Sequence, residues 1–209
     1  MYMVKSVEDI QEKAREKYYN RYTERIVGIM LARYDLEITR RMIDENYLYW
    51  HYNTGRQFDV FWCGYENHFP HSRCRNDSVF SCDLIHVNGG RNDSTYFSRE
   101  AFIEAKDYLN ECVKGVYNDH IQLILVNYQE GHLDFYSQSA RIDLEKKAQE
   151  NLTDIRSFME WLTNECKKSK SIQQMYRDLK IRNTLDKLRG IDLSDWLSNA
   201  LSVAGLLIP

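Results

Sequence analysis

Residues 120–136, HIQLILVNYQEGHLDFY, constrain the fold more than any other stretch of the chain. The run 121–128 is its densest apolar segment, and the β-branched and aromatic members suit a buried strand. Gln129, Glu130 and Gly131 form a short glycine-containing turn, after which Leu133, Phe135 and Tyr136 carry the chain back. A hairpin is expected here. Helical patterns flank it on both sides, which puts it at the centre of the core.

Upstream, Ser6 followed by Glu8 and Asp9 reads as a helix start, with a hydroxyl cap and acids in the first turn. Val7, Ile10, Ala14, Tyr18, Tyr22, Ile26, Ile29, Met30 and Arg33 then recur at mostly three- and four-residue steps, and Met42, Ile43 and Tyr47 extend the face. The spacing predicts one long N-terminal helix, or two broken near Asn20, ended by Asn53, Thr54 and Gly55. Residues 58–65, FDVFWCGY, predict an apolar strand, residues 66–78 an irregular polar segment, and residues 79–87 a second strand closed by the turn at 88–93. Ser98 opens a helix whose Phe102, Ala105, Leu109, Cys112 and Val113 share a face, and Gly115 closes it.

Beyond the hairpin the pattern is helical. Leu144, Ala148, Leu152, Ile155, Met159, Leu162 and Cys166 hold the cleanest period in the chain, followed by Ile172, Met175, Leu179, Leu185 and Leu188. The predicted fold class is α+β: a long N-terminal helix, a small mainly antiparallel sheet with one intervening helix, and a C-terminal helical subdomain. The corresponding division is a core domain over residues 1–138 and helices over 139–209 packed on it, or one continuous domain. With only two prolines and nine glycines, long regular elements and short loops are expected.

Charge and composition exclude some functions. The formal net charge of −3 leaves no global electrostatic footprint for nucleic acid or an anionic membrane. Acids at Glu8, Asp9 and Glu12 argue against a signal peptide, and no uncharged run approaches the roughly 18–20 residues of a membrane span. Five cysteines without a secretory signal read as reduced thiols in the cytoplasm.

Three groups of residues carry chemistry worth weighing. Cys63, His68, His71, Cys74, Cys82 and His86 are the ligand types zinc prefers, yet they lack paired knuckle spacing. Cys63 lies in an apolar strand, where cysteine packs as a small hydrophobe, and Cys82 and His86 on one strand would stand about 13 Å apart. Packing is the expected role, with zinc as the alternative. Asp83, Glu104 and Lys106, with Glu37 as a further carboxylate, resemble in residue type the D…E-x-K pattern of metal-dependent restriction-type nucleases. The helical period through residues 98–113 sets Glu104 and Lys106 pointing apart, against a shared site. Likewise, the glycines at 89 and 90 lack the spacing of a phosphate loop.

The third group is the basic stretch 167–189, with Lys167, Lys168, Lys170, Arg177, Lys180, Arg182, Lys187 and Arg189 against Asp178 and Asp186. It reads as a solvated face before it reads as a phosphate-tracking one. No motif names a catalytic, cofactor or metal residue. The expected function is a non-enzymatic cytoplasmic protein-interaction domain of adaptor, sensor, accessory or immunity type, working through its N-terminal helix and apolar C-terminal segment. Self-association or a protein partner is expected, and no membrane. The alternatives are a divalent-metal nuclease or hydrolase, and nucleic-acid binding through 167–189.

Overall fold

A computed structural model describes residues 2–18, 24–53, 58–67, 84–88, 95–145 and 155–187. The chain begins with a short strand, β1 (Tyr2–Val4), and a helix, α1 (Val7–Tyr18), whose N-terminus is capped as expected: Ser6 Oγ accepts from the Asp9 amide at 3.2 Å. Next come β2 (Glu24–Leu31), α2 (Glu37–Asn53) and β3 (Val60–Cys63). The predicted long N-terminal helix is therefore helix, strand and helix. The reason is local. Residues 26–32 are all buried, so this central strand has no polar face to produce alternation, and Ile26, Ile29 and Met30 fall by coincidence on helical steps.

β1, β2 and β3 pair in parallel, with β3 between the other two. The hairpin supplies the other half of the sheet: β7 (Gln122–Gln129) runs antiparallel to β2, and β8 (His132–Asp143) forms the far edge. Its turn matches expectation, because Glu130 and Gly131 both have positive φ, 51° and 87°, as a two-residue hairpin loop demands. β8 carries the chain past residue 138 within the same sheet. The five-stranded sheet is thus mixed, with order β1-β3-β2-β7-β8, and its parallel half differs from the mainly antiparallel sheet expected.

Helices cover both faces of this sheet. α1 packs on the face carrying Tyr128, which meets Tyr18 edge-on at 4.8 Å. The same face carries Arg141, whose guanidinium donates to the Leu109 carbonyl of α3 (Arg99–Cys112). On the opposite face, Asn127 Oδ1 accepts from the first amide of α5 (Ile172–Lys187) at 2.9 Å. α4 (Ile155–Lys168) packs beside it and meets α2, where Tyr49 donates to the Arg156 carbonyl. Met159, Leu162, Cys166, Ile172, Met175 and Leu179 are all buried, as their spacing predicts. Each such aliphatic side chain contributes about 1.5–3 kcal/mol by leaving water.

A small antiparallel sheet of β4 (Tyr65–Asn67), β6 (Thr95–Ser98) and β5 (Leu84–His86) joins the first at Gly64. The Gly64 amide donates to Val4 in one sheet, and its carbonyl accepts from Ser98 in the other. Its φ is +80°, and a Cβ there would stand 2.7 Å from Phe102 Cβ, so only glycine allows α3 to approach this closely. The predicted cap follows: Ser98 Oγ accepts from the Ala101 amide.

Candidate functional site

β2 and β7 are antiparallel, so the end of one lies beside the start of the other; Leu31 pairs with Gln122. Beyond that pair, the segment after β2 and the segment before β7 meet α3 around a cavity of about 320 Å³. Arg33 comes from the first segment, and Val116, Tyr117 and Asp119 from the second. From α3 come Arg99, Phe102, Ile103, Lys106 and Asn110, spaced along one flank of the helix. Asn110 Oδ1 accepts from the Tyr117 amide at 3.0 Å and ties the loop to the helix.

Arg33 is the hub. Its Nε and Nη2 donate to the two oxygens of Asp35 at 3.1 and 2.8 Å, a bidentate fork, and Nη1 donates to Asp119 at 2.7 Å. Asp119 adopts a left-handed backbone, φ 64°, a conformation aspartate tolerates better than most residues. The Arg33 hydrogen bonds hold the Asp35 carboxyl below its ordinary range against the opposing effect of burial, and the same bonds raise the Arg33 pKa. Arg99 reaches Asp35 at 3.5 Å, and Lys106 meets the neighbouring Asp107 at 2.7 Å. The Tyr117 hydroxyl is raised above its usual value first by burial and then by Asp119.

A second polar network lies at the same end of the sheet. His120 Nδ1 meets Asp143 Oδ2 at 2.8 Å, and Asn118 Nδ2 donates to the same oxygen at 3.0 Å. Gln122 bridges inward, donating to Asn118 Oδ1 and accepting from Arg141 Nη1 at 2.9 Å. Burial pushes the Arg141 guanidinium down to about 10.

No family model matches this chain, and neither a curated protein nor a solved structure is significantly similar to it. Three cations border an aromatic and aliphatic floor, and the central one is fixed by two carboxylates. Such an arrangement can recognise and orient a partner group of opposite charge.

The residues singled out in the sequence lie mostly elsewhere. Cys63 is wholly buried in β3, where burial pushes its thiol up to about 12, consistent with a packed hydrophobe. His86 is in β5 of the other sheet, edge-on to Tyr96 at 5.4 Å. His68, His71, Cys74, Cys82 and Asp83 lie outside the described residues, as do residues 188–209. Among the described residues no three His, Cys, Asp or Glu side chains cluster as metal ligands, and no helix is long and apolar enough to cross a membrane. Glu37 begins α2, and Glu104 is exposed on α3. Among the described members of the nuclease-like set, only Lys106 lines the cavity. In the basic stretch, Lys167, Lys168, Lys170, Arg177 and Lys180 are exposed, and Lys168 pairs with Glu165.

Sequence reasoning missed Arg33, Asp35, Tyr117 and Asp119. Arg33 and Asp35 follow the apolar run 26–32 directly, so recognising that run as a strand would have placed both at a strand end.

Proposed function

We propose that this protein is a non-enzymatic interaction domain of the sensor or adaptor kind, with its recognition face at the cavity end of the sheet. One observation carries the reading: beside the cation-lined cavity, Val116 is 72 % and Ile103 42 % exposed. Exposed aliphatic side chains next to convergent charges are what a partner-binding surface offers. Of the stretch read as the N-terminal helix, Val7, Ile10, Ala14 and Tyr18 of α1 are buried against the sheet, whereas Ile38 and Tyr52 of α2 are exposed and remain open to a partner. A cytoplasmic setting and association with a protein partner belong to the same proposal, the first resting on cysteine usage.

Native mass spectrometry of gently purified protein tests it. A companion present with the wild type and absent with Val116→Glu is the expected result, with both proteins melting alike. Identical companions on both proteins, or turnover of the companion, would overturn the proposal. The enzymatic alternative has one arrangement in its favour, the His120–Asp143 pair, in which a carboxylate orients an imidazole as it does for a general base.

A further inference from the structure

We propose that the cavity binds a small organic anion, a carboxylate or phosphate group carried on a flat apolar body. The inference rests on the preceding reading only in placing recognition at this end of the sheet.

Two chemistries meet in the cavity. Its floor is aromatic: the half-buried Tyr117 ring lines it, backed edge-on at 5.3 Å by the fully buried Phe102. Its walls are cationic. Arg33, Arg99 and Lys106 all border the space, whereas of the carboxylates that balance them only Asp119 does so; Asp35 and Asp107 stand outside the lining. The lining carries three cations against one carboxylate, with Asp35 directly behind Arg33.

The donors are also prepared. Guanidinium has five N–H groups, and the bonds to Asp35 and Asp119 use three of them on Arg33, so it is fixed with donors to spare. Fixing it in advance lowers the ordering cost of binding. Asn110 presents its carbonyl to Tyr117, which leaves its amide nitrogen as a donor at the wall. Arg99 is 56 % exposed and 3.5 Å from the largely buried Asp35, and Lys106 is 25 % exposed beside an Asp107 that is 60 % exposed. Each pair is open to water on one side, which weakens it and lets the cation turn to a ligand.

Size selects the ligand class. At about 320 Å³ the cavity is at the lower end for ligand sites, which run from roughly 300 to 1,000 Å³. That suits a single ring with its anionic group.

The test is an amide-shift titration of the isotope-labelled full chain with phenyl phosphate, benzoate, inorganic phosphate and phenol. Phenyl phosphate or benzoate should saturate with a Kd of about 1 mM or tighter and shift Asn110, Val116 and Asp119. Inorganic phosphate and phenol, each carrying half of the chemistry, should bind at least about tenfold more weakly. The double variant Arg99→Ala/Lys106→Ala, melting with the wild type, should weaken the preferred probe about tenfold or more. Whichever of phenyl phosphate and benzoate binds tighter identifies the anion. Absence of saturation with both, shifts confined to other elements, or phenol binding as tightly as the anionic probes would overturn the inference. If the probes fail while Val116→Glu still releases a companion, the ligand class falls and the interaction reading stands. If they bind while Val116→Glu changes nothing, the reverse holds.

Discussion

His120 stands where the chain enters β7, with Asp143 of β8 against its Nδ1 and Asn118 on the same carboxylate. The Asp143 hydrogen bond raises the His120 pKa above 6.5, outweighing the opposing effect of burial. A raised folded-state pKa stabilises the fold fully below the unfolded value and loses that effect as pH climbs through the folded one. Thermal melts of wild type and His120→Gln should therefore differ most near pH ~6 and converge by pH ~9. A constant gap across that range would show that the ion pair contributes nothing. Asp35 has the opposite sign: its depressed pKa stabilises above 3.8 and is lost as pH falls through the folded value. None of these roles was legible in the sequence. Spacing along the chain says nothing of which side chains meet when β7 and β8 pair, and Asp143 lies 23 residues from His120.

At the scale of elements, legibility followed local chemistry. The hairpin, the Ser6 and Ser98 caps and the buried stripes of α4 and α5 each depend on neighbours in sequence, and each was readable. β1 is only three residues long and has no period to detect. β2 was hidden by its own burial. What anchors α1 to the sheet was equally silent: Asp59, 2 % exposed, accepts from Tyr18 Oη at 2.5 Å and from Lys17, and forms an ion pair with Arg25 at 3.2 Å. One carboxylate thus holds α1, β2 and the start of β3 together. Its removal by Asp59→Ala leaves buried donors and cations without their acceptor, and denaturant unfolding should show a loss of about 3–5 kcal/mol. A loss below about 1 kcal/mol would mean that water takes over that role. The outer edge of β8 is managed differently. Gln11 of α1 both donates to and accepts from the Leu133 backbone, standing in for a missing strand.

Across the whole molecule, two βαβ crossovers step in opposite directions over the sheet and send helices to both faces. The segments leaving β2 and entering β7 converge with α3 beyond the buried carboxyl end of β2. In open α/β sheets ligands bind outside the carboxyl ends of strands. The site thus follows from topology, and its cations, its floor and its exposed aliphatic rim lie where the fold leaves room. Hydrogen–deuterium exchange of the chain, alone and in complex with whatever protein partner co-purifies with it, is the decisive measurement. New protection should appear at residues 33–36, 99–110 and 116–119. Protection confined to α1 or to α4 and α5, with that end of the sheet unchanged, would contradict the site's placement there.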